Sequence, residues 1–135
     1  MRMARQSLGV ILLCSFLTAC TSSTETSLDP ITGMDKSFCL ELKPDMEKAD
    51  KDFWTLGKST SMETFVKSML EVSQDANTIA IVSVEPAQSW LTQVGTNATD
   101  FLRYFGGDLS GGSEELLDIA SRWKGTYLEL PKYCD

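Results

Sequence analysis

The amino-acid sequence predicts an all-α domain, an up-and-down four-helix bundle closed by one disulfide. Apolar residues recur at steps of three and four along four separate segments between residues 35 and 135, the spacing that lines one face of a helix. Cys39 lies near the start of the first segment and Cys134 just beyond the end of the last. In an antiparallel bundle these two points share an end only when the number of helices is even.

The first predicted helix follows Asp35, which can cap it, and ends at Gly57. Pro44 interrupts this segment, so we expect either a kink there or a short turn followed by a helix that begins near Pro44. Its buried stripe is predicted to contain Cys39, Leu42, Met46, Ala49, Phe53 and Leu56.

The second predicted helix opens with a capping box from Thr60 to Glu63, in which the hydroxyl and the carboxylate each satisfy a backbone donor. Its end is ambiguous, because residues 78 to 84 are rich in β-branched side chains and could form a strand. We favour helix, since a lone strand would have no partner elsewhere in the sequence. The predicted stripe contains Met62, Phe65, Val66, Met69, Ala76 and Ala80.

The last two helices are bounded by proline, glycine and serine. Pro86 suits the first position of the third helix, which Gly106 and Gly107 end. Ser113 can cap the fourth helix, and Pro131 is expected to end it. The predicted inner faces contain Ala87, Leu91, Val94, Ala98, Phe101 and Phe105 in the third helix and Leu116, Ala120, Trp123, Tyr127 and Leu130 in the fourth.

Residues 1 to 19 have the pattern of a secretory signal peptide. Arg2 and Arg5 precede an apolar run that begins at Leu8 and is too short to span a bilayer as a permanent helix. The run ends in Leu-Thr-Ala-Cys at residues 17 to 20, which resembles the lipobox of bacterial lipoproteins. That resemblance implies cleavage before Cys20 and a diacylglycerol on its thiol, with the freed amine often acylated as well. Two or three acyl chains give a stable membrane anchor.

Residues 20 to 34 are predicted to form a flexible, lipidated tether, because they are rich in serine and threonine and carry Pro30 and Gly33. We therefore expect the domain on the extracytoplasmic side of the cell membrane, or at the outer membrane if the cell has one. Of the four cysteines, Cys14 is expected to leave with the signal peptide and Cys20 to carry the lipid. An exported protein with two remaining cysteines most often pairs them, so Cys39 and Cys134 are the predicted disulfide.

The charge balance argues against nucleic acid as a partner. The chain has twelve basic and nineteen acidic residues, and the signal peptide holds two of the basic ones and none of the acidic ones. The chain beyond the signal peptide is therefore acidic, and an acidic surface repels phosphate backbones and anionic lipid head groups.

The inventory of chemical groups argues against an enzyme, a cofactor or a metal site. The chain has no histidine, which removes the commonest general base and metal ligand. No Gly-x-Ser-x-Gly or Ser-x-x-Lys motif surrounds a serine. The acidic residues fall outside the predicted stripes and are expected to be solvated.

Three aromatic residues are the candidate binding site. Trp54, Trp90 and Tyr104 lie next to predicted stripe positions, where an aromatic side chain either pads the edge of the core or forms an exposed patch for a protein partner or an apolar ligand.

The sequence thus predicts a non-catalytic binding lipoprotein of the cell envelope, with two alternatives. One is an inhibitor or blocker, such as a prophage-type exclusion lipoprotein or an inhibitor of an envelope enzyme, which predicts a filled core and an exposed aromatic patch. The other is a carrier of a small ligand, which predicts a cavity lined by Met46, Met62 and Met69.

Overall fold

The computed structural model describes residues 28 to 107 and 111 to 135. The predicted signal peptide, Cys20 and residues 20 to 27 of the tether lie outside these described residues. The described part contains four long helices and no strand, which confirms the all-α fold class. The long helices are α1 Cys39–Trp54, α2 Met62–Ile81, α3 Ala87–Phe105 and α4 Ser113–Leu128, with a 3-10 turn Lys36–Phe38 before α1 and a short helix α5 Leu130–Tyr133 after α4.

Consecutive long helices pack against one another, α1 on α2, α2 on α3 and α3 on α4. The core between them is built on aromatic rings. Phe53 lies 4.9 Å from Phe101 and 5.8 Å from Phe65 between ring centroids. Phe105 extends this cluster from Phe65, and Trp123 extends it from Phe101. These tilted and edge-on arrangements are the favourable ones for aromatic pairs.

The periodicity predicted most of the core correctly. Met62 is exposed instead, with 45 % of its surface open, because it is the first residue of α2 and solvent reaches the stripe there. The predicted residues that are buried are Leu42, Met46, Ala49, Phe65, Met69, Ala76, Ala87, Leu91, Val94, Ala98, Phe101, Ala120, Trp123 and Leu130. Those that are partly buried against this core are Cys39, Phe53, Leu56, Val66, Ala80, Phe105, Leu116 and Tyr127.

The first helix begins close to its predicted cap and the second does not. Asp35 caps the 3-10 turn that leads into α1, because its Oδ1 accepts from the Ser37 N–H at 2.9 Å, and the alternative of a helix that begins near Pro44 is wrong. α1 runs from Cys39 through Pro44 to Trp54 without ending at the proline. The predicted capping box is wrong: the Ser61 side chain accepts a hydrogen bond from the Thr64 N–H at 3.2 Å, and it is therefore Ser61 that caps α2. The Thr60 hydroxyl lies instead 2.6 Å from the Thr55 hydroxyl.

The later helix boundaries differ from the predicted ones by one to three residues. α2 continues to Ile81, so the helix favoured for residues 78 to 84 is confirmed up to that residue, and a turn follows. Pro86 directly precedes α3, and Ser113 is the first residue of α4 rather than its cap. Pro131 does not end α4, which stops at Leu128; it lies in α5.

The predicted disulfide is confirmed. The sulfurs of Cys39 and Cys134 lie at bonding distance, with their Cα atoms 5.4 Å apart. Next to it, the Lys36 ammonium donates to the carbonyl of Tyr133 at 2.9 Å, and the Trp90 ring stacks on the Tyr133 ring at 4.4 Å. These contacts join the start of α1, the first turns of α3 and the end of the chain.

Residues 32 to 34, which the composition assigned to the tether, contact the helical domain. Met34 is fully buried. The carbonyls of Thr32 and Gly33 accept hydrogen bonds from the N–H groups of Ala87 and Val84, each at 2.8 Å. Gly33 has φ +80°, and a Cβ there would clash with the Val84 carbonyl oxygen. Only glycine fits this approach without strain.

Candidate functional site

The structure does not bring the three candidate aromatic residues together. Trp90 is 3 % exposed, and its indole N–H donates to the Thr126 carbonyl at 3.0 Å, so its assignment to an exposed patch is corrected. Tyr104 is half-buried at the end of α3 and donates to the Gly112 carbonyl at 3.3 Å. Trp54, at the end of α1, is 54 % exposed and is the one of the three that offers a large surface to a partner.

Trp54 belongs to a surface between the first and last long helices. α1 and α4 approach each other less closely than consecutive helices do, which leaves a groove of about 210 Å³ between them. We call this surface the α1/α4 seam. It consists of Lys43, Glu47, Asp50 and Trp54 on α1, Lys124, Tyr127 and Leu128 on α4, and Leu130 and Pro131 beyond it.

Asp50 binds two tryptophan side chains, Trp54 in the seam and the buried Trp123. Its Oδ1 accepts a hydrogen bond from the Trp54 indole at 3.2 Å and another from the buried Trp123 indole at 3.0 Å. The Lys124 ammonium lies 5.5 Å from the centroid of the Trp54 ring, within the range of a cation–π interaction. Trp54 is therefore exposed but held in one orientation.

The middle of the seam is apolar with a polar edge. Tyr127 is half-buried and stacks on Trp123. Burial, followed by the negative charges of Asp50 and Glu47, raises the pKa of its hydroxyl. Leu128 is 67 % exposed beside it. A half-buried aromatic residue, an exposed aliphatic one and a charged rim are typical of protein interfaces.

A second groove, of about 520 Å³, lies between α3 and α4 and is lined mainly by residues with polar side chains. Arg122 dominates it, donating to Asn97 at 3.0 Å, Asp100 at 2.8 Å and Asp118 at 3.0 Å. The hydrogen bond with Asp100, and after it that with Asp118, raises the pKa of the guanidinium. The guanidinium is thus committed to carboxylates of the domain itself, and the arrangement holds α3 to α4.

One carboxyl group has an unusual protonation equilibrium. Asp75 on α2 lies beside Asp45 on α1. Burial, followed by the hydrogen bond and the charge of Asp45, raises the pKa of Asp75 from its usual 3.8 to about 7. Within the described residues, no group of three or more acidic or cysteine side chains is arranged to hold a metal ion.

Sequence reasoning found Trp54 but missed the rest of the seam. Asp50 precedes Trp54 by four residues, which is the contact spacing on a helix, and this signal could have identified it. Lys124 and Leu128 also lie four residues apart on α4. Their proximity to α1 depends on tertiary packing, for which the sequence has no local signal.

The comparisons with known proteins assign no family. The chain matches no family model, no curated protein and no solved structure. Among the described residues, no helix has both the length and the apolar character needed to cross a membrane.

Proposed function

We propose that this protein is a non-catalytic lipoprotein anchored by acyl chains on Cys20, whose domain binds an envelope protein through the α1/α4 seam. The lipobox-like residues 17 to 20 support the anchor. The Cys39–Cys134 disulfide supports an extracytoplasmic location, because disulfides persist in oxidising compartments. We also propose the up-and-down arrangement of the bundle, since consecutive helices pack together and the disulfide joins the first helix to the end of the chain.

The observation that carries the binding proposal is the exposed and oriented indole of Trp54. Tryptophan is among the residues most enriched at interface hot spots. Because Asp50 and Lys124 already hold the ring, a partner would lose little side-chain entropy on contacting it.

A protein partner fits the seam better than a small ligand does. The groove of about 210 Å³ is smaller than the roughly 300 to 1,000 Å³ of typical small-molecule sites. Met46 and Met69 are fully buried and Met62 is exposed, so these three residues do not line a common cavity. This counts against the carrier alternative in the form predicted, with a cavity lined by the three methionines.

The inhibitor or blocker alternative uses the same surface. Its expected features were a filled core and an exposed aromatic patch. The aromatic cluster fits the first, whereas Trp54 is the one of the three candidate aromatic residues with a large exposed surface. The two functions differ in what happens to the partner protein. An inhibitor would inactivate it, whereas a binding lipoprotein would leave it active.

Site-specific photocrosslinking on intact cells tests the seam. A photoreactive residue at Leu128 is expected to capture one defined envelope protein, and the same residue at Leu70, which is 44 % exposed on α2, is expected not to. Trp54→Ala should weaken the complex by about 2 kcal/mol, as for an interface hot spot, while Leu70→Ala should leave it unchanged. Equal capture from both positions, or an unchanged complex with Trp54→Ala, would contradict the proposal.

The anchor is tested separately. Replacing Cys20 by serine removes the thiol that carries the lipid, and the protein is expected to leave the mature membrane-bound pool. Partitioning into the detergent phase that is unchanged from the unsubstituted protein would show that acyl chains on Cys20 do not hold it.

A further inference from the structure

Four exposed aliphatic side chains lie where the chain enters the domain. Ile31 and Ile81 are each 81 % exposed, Val82 is 53 % exposed and Val84 is 52 % exposed. We call these four residues the entry patch. Aliphatic exposure of this extent on adjacent segments indicates a surface that meets something apolar.

Backbone hydrogen bonds hold the two segments of the entry patch together. The turn that carries Ile31 is closed by Asp29, whose Oδ1 accepts from the N–H groups of Ile31 at 2.7 Å and Thr32 at 3.0 Å. The Thr32 and Gly33 carbonyls then accept from Ala87 and Val84 across the α2–α3 turn. The entry patch is therefore a built feature of the domain.

The position of the proposed anchor indicates what the entry patch faces. Leu28, the first described residue, is three residues from Ile31. Eight peptide units separate it from Cys20, and a chain of that length spans at most about 28 Å. A lipid on Cys20 thus keeps the entry patch within about 28 Å of the bilayer along the chain, so the patch can reach the lipid surface.

We propose that the entry patch docks on the bilayer surface, with its aliphatic side chains in the boundary between head groups and acyl chains. This inference rests on the lipid anchor of the proposed function. Asp29 and Glu85 flank the patch, so the contact is apolar and suits neutral lipid rather than anionic lipid. A contact too weak to recruit a free domain suffices here, because the anchor makes docking an intramolecular step.

Docking would orient the binding seam. α1 starts at the disulfide and ends at Trp54, and its 16 residues span about 24 Å. With the entry patch on the membrane, Trp54 would be presented at the far end of α1, towards partners in the space beyond the lipid surface.

A fluorescent label distinguishes docking from a freely tumbling domain. The processed, lipidated protein with Val82→Cys is labelled with an environment-sensitive fluorophore. Cleavage of the signal peptide removes Cys14, Cys39 and Cys134 are bonded to each other and Cys20 carries the lipid, so the label reacts at position 82. The protein is placed in phosphatidylcholine vesicles with and without nitroxide-bearing lipids. Leu117→Cys on α4, 69 % exposed, is the matched control.

The expected result is a blue-shifted emission and quenching by the nitroxide lipids at position 82, with neither change at position 117. Water-like emission at 82 from protein that floats with the vesicles would overturn docking and leave the anchor intact. A blue shift without lipid quenching would also overturn it, because it would show the patch covered by another copy of the chain. Protein that fails to float with the vesicles would overturn the anchor and docking together.

Discussion

Removing the disulfide should destabilise the domain by a large part of its total stability. The Cys39–Cys134 bond closes a loop with a sequence separation of 95 residues, and the chain-entropy model assigns a loop of about this length roughly 4.7 kcal/mol. Small domains unfold with about 5 to 15 kcal/mol in total. At about 4 °C or more per kcal/mol for a domain of this size, the melting temperature should fall by about 20 °C.

Thermal unfolding followed by far-ultraviolet circular dichroism measures this directly. The unsubstituted protein is melted with and without reductant, and the Cys39→Ala/Cys134→Ala double variant is melted under the same two conditions. Reductant should lower the first melting temperature to near that of the double variant and should not change the variant itself. A melting temperature that neither reductant nor the double substitution lowers would refute the entropic reasoning.

Two single substitutions should also change stability, each for its own reason. The folded-state pKa of Asp75 is raised to about 7. The stabilisation that the proton on Asp75 provides is therefore complete below pH 3.8 and is lost as the pH rises through about 7. Asp75→Asn should remove this pH dependence of the free energy of unfolding. After discounting for solvent screening, the loss should be about 1 to 2 kcal/mol, measured by urea unfolding at pH 5 and pH 8. Gly33→Ala should cost about 2 kcal/mol in the same assay, because its φ is +80° and a Cβ would clash with the Val84 carbonyl oxygen.

Each substitution has a matched control. Asp45→Asn removes the other carboxyl of the pair and should lower the pKa of Asp75. The double variant should therefore show nearly the same pH dependence of stability as either single variant. An Asp75→Asn protein with the same pH dependence as the unsubstituted one would contradict the assignment. Gly57, with φ +82° and open space around it, should tolerate alanine better than Gly33 does. Equal costs at the two glycines would show that the contact with Val84 does not matter.

The helices and most of the core could be predicted because their signal is local. Apolar residues spaced like Leu42, Met46 and Ala49 share one face of a helix, and all three are buried. That face packs against the other helices in any bundle topology, so its burial could be predicted without knowing the topology. The helix ends were predicted less well. Thr60 and Ser61 are both able to cap α2, and the choice depends on Thr60 contacting Thr55, a contact that the sequence does not indicate.

The candidate site depended still more on tertiary contacts. Trp54 and Trp90 occupy similar positions beside their stripes, yet Trp90 is buried because Tyr133 and Thr126 from the end of the chain cover it. Trp54 has no such cover and stays exposed, held by Asp50 and Lys124. Whether such a tryptophan is buried or exposed is thus decided by residues far away in the chain.

Mass spectrometry of the protein isolated from the membrane fraction can detect both the lipid on Cys20 and the disulfide. We expect an amino terminus at Cys20 with the added mass of a diacylglycerol, and a cross-linked peptide that joins Cys39 to Cys134. An intact leader, an unmodified Cys20 and two free thiols at positions 39 and 134 would show that the protein is neither anchored by lipid nor closed by the disulfide.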